Sequence, residues 1–259
     1  MSGISPRLLA VAAMLGIAAA HADARSTIPA DDFPTFAFRQ RPGAMLPLDT
    51  VLRGADGRSV RFGSLFGTRP VVLDFEYDRC QTLCGVVLDR TTAALRSLPL
   101  RPGRDYELIA IDIDPDATSE DAAAFARDHG ARPPGTLVLI GDAAAIRRLA
   151  DSVGFPYRRD AATGQFAHPA GLLIATPDGR VSRYLLGLGW RPLDLRLGLI
   201  EAAGKTIVAP AEQLLLLCYC YDPQTGRYDF AVANLLKVAA TLTMLALGGV
   251  IWWASERGP

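Results

Sequence analysis

Four cysteines and three histidines are all that 259 residues offer as thiol and imidazole donors. So few cysteines exclude a disulfide-stapled scaffold. Their grouping into two close pairs, Cys80/Cys84 and Cys218/Cys220, points to metal or redox chemistry instead. Neither charge is in excess: 27 Lys and Arg stand against 27 Asp and Glu, which excludes a broad basic field for nucleic acid. The chain has no internal repeat and no low-complexity tract. Its length suits one well-cored domain with attached segments rather than two full domains.

Apolar residues are plentiful, at 50% of the total, and much of that excess lies at the two ends. Arg7, the uncharged run Leu8 to Ala20, and the small residues Ala20 and Ala22 read as a secretory signal over 1–22, cleaved after Ala22. The run is shorter than the ~20 residues that a spanning helix needs. Residues 230–254 read differently. Lys237 is their only charge, and at a helical rise they reach ~37 Å, beyond the ~30 Å hydrocarbon layer. Lys237 can snorkel towards the headgroups, while Trp252 and Trp253 suit the opposite interface. The expectation is one C-terminal transmembrane helix preceded by a juxtamembrane segment at 206–229 and followed by a cytoplasmic tail at 255–259. The main domain then lies in the periplasm, tied to the cell inner membrane by a single pass.

Between the ends, 23–47 is polar and proline-bearing, an extended lead-in to a domain over 48–205. Leu48 to Leu52 and Ser59 to Phe62 flank an Asp56-Gly57 turn, which predicts a hairpin. Strands are predicted at Val71 to Tyr77, Glu107 to Ile113 and Thr136 to Ile140, with helices at Val86 to Leu98, from Thr118 to about His129, and at Ala143 to Val153. Thr118 and Asp121 have capping-box spacing, and Gly130 stops that helix. Gly171 to Thr176 and Val181 to Leu186 frame a Pro177-Asp178-Gly179 turn, and Leu193 to Ala203 closes the domain as a helix. The alternation gives an α/β sheet domain.

Cys80 and Cys84 stand where the strand at 71–77 hands over to a helix. A helix beginning around Arg79 or Cys80 would put both sulfurs on one face. The helix N-terminus and Arg79 would both favour thiolate. Soft thiolates select Cu(I) over hard cations, and the same spacing admits a disulfide, so metal and redox chemistry are both open to the pair. Among the histidines, His21 leaves with the signal, His129 fits a helix C-terminus where a cation meets the dipole, and His168 stands in a loop before the strand at 171–176. Asp112, Asp114 and Asp116 alternate at a strand end and read as a solvated turn and helix cap, with Asp114 able to face the cysteine loop. Cys218 and Cys220 read as small apolar thiols buried under Leu214 to Leu217, with a second soft-metal or redox site as the alternative.

The run Val71 to Tyr77 with Asp78-Arg79-Cys80-x-x-x-Cys84 resembles the strand and CxxxC site of the Sco/SenC family. Ile111-Asp112-Ile113-Asp114-Pro115-Asp116 is similar to its strand ending in a D-P loop, and His168 matches the position of its histidine ligand. The resemblance covers about 45–205. It implies a thioredoxin-like fold, copper held by Cys80, Cys84 and His168, and a role in maturing the copper centre of cytochrome c oxidase. The implied partners are the copper-bearing oxidase subunit and other copper or thiol-redox proteins. Gln81 and Gly85 depart from the family, which commonly has proline after each cysteine, and Asp78 stands where an uncharged residue is common. Those changes bear on affinity and potential rather than on the donor set. A periplasmic thiol–disulfide oxidoreductase acting through Cys80 and Cys84 on cysteines of an oxidase subunit is the alternative; a peroxiredoxin-like peroxidase is a weaker third, since Tyr77 rather than threonine stands three residues before Cys80. The Leu217 to Pro223 segment resembles one in Sco-like proteins with a C-terminal anchor.

Overall fold

The structure is a computed structural model. It describes residues 36–79, 84–131, 135–204, 219–230 and 240–249. The expected signal, Cys80, Cys218 and most of the expected membrane span lie outside the described residues.

Eleven strands and four helices are described: β1 (Val51–Gly54), β2 (Ser59–Arg61), β3 (Val71–Glu76), α1 (Cys84–Ser97), β4 (Glu107–Asp112), α2 (Ser119–Asp128), β5 (Thr136–Ile140), α3 (Ala143–Ser152), β6 (Arg158–Arg159), β7 (Phe166–Ala167), β8 (Gly171–Ala175), β9 (Val181–Leu186), α4 (Pro192–Ala203), β10 (Tyr219–Asp222) and β11 (Arg227–Phe230). Residues 240–249 are helical as well. Seven strands form one mixed sheet in the order β2-β1-β5-β4-β3-β8-β9, with β3, β4 and β5 parallel and the outer pairings antiparallel. This α/β architecture around a central mixed sheet is consistent with a thioredoxin-like fold.

The sheet has two unlike faces because successive strand residues point to opposite sides. Leu73, Phe75, Ile109, Ile111 and Leu173 pack on one side with Ile146 and Leu149 of α3 and with Phe62 and Phe155. On the other side Val72, Leu108, Ala110, Leu172 and Ile174 meet Val87, Leu88 and Leu95 of α1, Phe125 of α2, and Leu195 and Leu199 of α4. Chain punctuation follows the expected chemistry. Thr118 and Asp121 form a reciprocal capping box at α2, His129 is its C-cap, and Gly130 turns away at φ +64°.

One feature departs from the sequence reading. Residues 219–230, expected as part of the juxtamembrane segment and the start of the span, form the hairpin β10–β11. That hairpin is pinned to the domain: Arg191 donates to the Tyr228 carbonyl (2.6 Å), Tyr228 N–H to Asp194 Oδ1 (3.1 Å), and the Tyr228 hydroxyl to Glu201 (2.5 Å). Among the described residues no helix is long and apolar enough to cross a membrane. In the described stretch 240–249, however, Leu242, Met244, Leu245 and Leu247 are all exposed.

Candidate functional site

The parallel strands β3 and β4 end side by side, with Glu76 paired to Asp112 in register. The chain leaves β3 through a turn at Asp78-Arg79, and the described helix opens at Cys84. The expected helix start at Arg79 therefore gives way to a turn, since Arg79 is committed elsewhere: its guanidinium pairs with Asp114 and lies 3.8 Å from Asp78. Asp114 is fully buried at the end of β4, so this ion pair ties the residue before Cys80 to the neighbouring strand. Cys84 is the first described residue of α1.

His168 follows β7 and reaches the same end of the sheet from its aromatic side. Its ring lies 5.6 Å from that of Phe155, which stacks on Phe75 of β3 at 4.8 Å. Tyr77, just past β3, packs edge-on to Phe166 of β7 at 5.1 Å, so the short β6–β7 hairpin is held against the strand that leads to the cysteines. His168 Nδ1 is 3.0 Å from the Pro169 carbonyl. A carbonyl only accepts, so Nδ1 carries the proton and Nε2 is the lone-pair nitrogen. Burial holds the imidazole below its usual pKa, against the opposing pull of the Pro169 carbonyl, and so keeps it neutral as a ligand must be.

Behind the cysteine turn the sheet carries an array of acids. Asp74, Glu76 and Asp112 are each about 1% exposed on the face that α1 covers. Both oxygens of Glu76, Asp74 Oδ2 and Asp112 Oδ2 have no hydrogen-bond partner among the described residues. An ionised carboxylate in that position is costly, so these groups hold protons. Burial pushes Asp74 and Glu76 well above the usual carboxyl range, with neighbouring acids adding to the rise at Glu76. Burial and the charge of Asp78 raise Asp112 to about 8, and the two carboxyls are close enough to share a proton. Asp112 and Asp114 are thus buried rather than part of a solvated turn. Asp116 alone is exposed, 3.2 Å from Arg159. Among the described residues no group of three or more side chains is arranged to hold a metal ion.

Beside Phe155 a hollow of about 290 Å³ is lined by Arg39, Arg41, Arg147 and Arg158, with Asp151 as the acid among its described lining. The Arg147 guanidinium lies 3.9 Å over the Tyr157 ring and Arg41 donates to the Asp151 carbonyl at 2.7 Å. Those two cations rest on a ring and a carbonyl rather than on carboxylates, so their charge is left to face outward.

Of the three residues singled out in the sequence, the structure thus describes the backbone of Cys84 and the whole of His168, on two sides of one sheet end. Cys80 lies outside the described residues. The donor set suits a soft metal: two thiols and a neutral imidazole with its tautomer fixed. The sequence reading missed the buried acids. Their signal was present as Asp74 and Glu76 inside an otherwise apolar strand run.

Comparison with known proteins agrees with this architecture. A protein from Aquifex aeolicus VF5 assigned to electron transfer superposes with a TM-score of 0.59 at 24% identity, covering 63% of this chain and 95% of that one. A SCO1/SenC family lipoprotein from Bacillus anthracis str. Ames gives 0.50 at 19% identity, over 59% and 90%. Arabidopsis thaliana ScoI, solved with copper bound, gives 0.48 at 19% identity, over 56% and 88%. No curated protein matches. The family model described as SCO1/SenC matches residues 51–189, from the first strand of the central sheet through its last and across both Cys84 and His168. The chain belongs to the SCO1/SenC family.

Proposed function

We propose that this protein is a membrane-anchored copper metallochaperone of the periplasm that assists assembly of the copper centre of cytochrome c oxidase. The observation that carries this reading is the state of His168: a neutral imidazole, Nδ1–H tied to the Pro169 carbonyl, at the sheet end where the cysteine turn begins. Family membership supports the same donor set, since Cys80, Cys84 and His168 all fall within the matched region. Copper is the cargo. The soft sulfurs of Cys80 and Cys84 hold it with His168 and release it by ligand exchange to the thiolates of the copper-bearing oxidase subunit. The arginine-lined hollow beside Phe155 supports docking of an acidic acceptor face next to His168. The exposed apolar residues Leu242, Met244, Leu245 and Leu247 support an anchor over 231–254, and the pinned β10–β11 hairpin would hold the domain close to it.

Titration of the detergent-extracted chain with Cu(I) tests the assignment. One copper per chain is expected, with loss of tight binding in Cys80→Ala and His168→Ala. Unchanged stoichiometry and affinity in both variants overturns it. Resistance to alkaline extraction from membranes tests the anchor.

A second reading, thiol–disulfide oxidoreductase on cysteines of an oxidase subunit, is favoured by the protonated acids beneath α1. In exchange with an acceptor disulfide, Cys80 and Cys84 become the disulfide and the acceptor becomes the dithiol, with protons passed between the sulfurs. Buried carboxyls behind the helix that Cys84 opens can buffer that transfer. Turnover on a disulfide substrate that survives His168→Ala would support this reading over the first.

A further inference from the structure

The β10–β11 hairpin takes no part in the copper chemistry, yet it covers a second hollow. Side chains alternate along a strand, so Tyr219 and Tyr221 share one face of β10, with Tyr228 paired opposite Tyr221 on that face. Those three tyrosines line a space of about 460 Å³ together with two prolines, Arg183 of β9 and Glu201 of α4. Its tyrosine walls are fixed by their hydroxyls. That of Tyr221 donates to the Tyr184 carbonyl at 2.5 Å and accepts from the Tyr184 N–H at 3.2 Å, while that of Tyr228 donates to Glu201. With both hydroxyls spent, these two residues can offer a ligand only ring surface. Their centroids are 5.4 Å apart with the planes at 60°, which makes a corner of two rings.

The charges in this hollow balance, unlike those of the arginine-lined hollow beside Phe155. Arg183 and Glu201 form an ion pair, and each side chain stays more than a quarter exposed. Arg183 also lies 4.9 Å over the Tyr221 ring. Its guanidinium has five N–H groups, of which the described contacts to Ser182 and Glu201 use two. Each Glu201 oxygen accepts one hydrogen bond and keeps a second lone pair. A ligand therefore meets a cation, an anion and aromatic rings together. Depth narrows the choice further. Tyr228 stands three residues before the expected anchor at 231, roughly 10 Å of strand. The headgroup layer extends about 5–8 Å beyond the hydrocarbon, so the hollow is within reach of it. Tyrosine is also the residue type enriched at that depth.

We propose that this hollow seats the headgroup of a zwitterionic, ammonium-bearing phospholipid, with the phosphate on Arg183 and the ammonium on Glu201 and the tyrosine rings. The inference rests on the anchor reading given above. Guanidinium suits phosphate, and ring faces suit an ammonium. An anionic headgroup without an ammonium would leave Glu201 and the rings unused and would be repelled by the carboxylate. The hairpin is pinned to α4 through Arg191 and Asp194, so a lipid held here fixes the height of the whole domain on the bilayer.

Native mass spectrometry of the full chain tests this, after reconstitution in nanodiscs of equal phosphatidylethanolamine and phosphatidylglycerol and release into mild detergent. One ethanolamine lipid per chain is expected to stay bound, favoured about tenfold over the glycerol lipid. Glu201→Gln keeps an acceptor for the Tyr228 hydroxyl and should abolish that preference. Arg183→Met keeps an apolar stem against Tyr221 and should lower retention about tenfold. Neither change touches the anchor, so lipid held by the anchor alone is the same in all three proteins. Thermal melts check the fold, and where a variant unfolds, displacement of the lipid from the unaltered chain by soluble glycerophosphoethanolamine decides instead. Equal retention of the two lipids, a preference for the glycerol lipid, a preference that survives both substitutions, or no displacement overturns the inference and leaves the anchor standing. Release of the chain from membranes at alkaline pH overturns both.

Discussion

The two faces of the central sheet are built on opposite principles although they share the same strands. Along β3, Leu73, Phe75 and Tyr77 face an apolar, aromatic layer, while Val72, Asp74 and Glu76 face α1. The aromatic face is dry and neutral, and it buries the one imidazole that family resemblance marks as a ligand. The helix face places buried acids beneath α1, and among the described residues both oxygens of Glu76 lack a hydrogen-bond partner. Apolar packing would be the more stable choice there as well, since buried carboxyls cost solvation that partial hydrogen bonding does not repay. The difference teaches that one face secures the fold and the other tolerates a cost where the cysteine turn and α1 need protons and fixed charge.

The most damaging way to test that contrast is to open a hole in the aromatic face. Phe155 is 1% exposed and touches Phe38, Phe75, Tyr157 and His168. Phe155→Ala should cost about 3–5 kcal/mol in urea unfolding. A cost below 1 kcal/mol would mean that this face does not secure the fold.

On the other face, removing an acid should stabilise. Asp112 holds its proton up to about pH 8 in the fold, whereas an unfolded chain releases it near pH 4. Between those values the native state binds more protons, so stability falls as pH rises through that window. Asp112→Asn should therefore gain about 2 kcal/mol at pH 8, little at pH 4, and flatten the dependence between. An unfolding midpoint that rises from pH 5 to pH 8 in the unaltered protein would contradict the buried acids.

Arg79→Gln should act in the opposite sense on that same face. It leaves the fully buried Asp114 without its cation; because Arg79 is itself half exposed, about 1–2 kcal/mol is expected. Mobility of the turn before Cys80, read by hydrogen exchange, should rise with it. The smallest effect belongs to Thr118→Ala, which removes the capping box of α2 without touching either array and should cost about 1 kcal/mol, independent of pH from 6 to 9. A pH-dependent loss would place α2 in the same electrostatic unit as the acids.

Much of the fold was legible from local pattern alone. Strand runs, the capping box at Thr118, the Gly130 stop and both early and late hairpins arise from nearest-neighbour chemistry, which a linear text records directly. The β10–β11 hairpin was not legible, because its stability comes from Arg191, Asp194 and Glu201 of a distant helix rather than from its own residues. The acids at 74 and 76 were visible but their meaning was not: an Asp in a strand has an ordinary pKa until a helix covers it.

The candidate site divides in the same way. Residue type and spacing by themselves determined the soft donors and the strand-to-helix setting of Cys80 and Cys84, since both follow from covalent order. Only the tertiary structure decided that His168 is neutral with Nδ1 committed, that Asp114 restrains Arg79, and that His129 leans on Gly85 rather than merely ending its helix. Ring orientation and restraint depend on what packs within a few ångströms: Asp114 stands 35 residues from Arg79 and His129 stands 44 from Gly85, separations that no local pattern spans, while His168 is set by its neighbour Pro169 together with burial against Phe155.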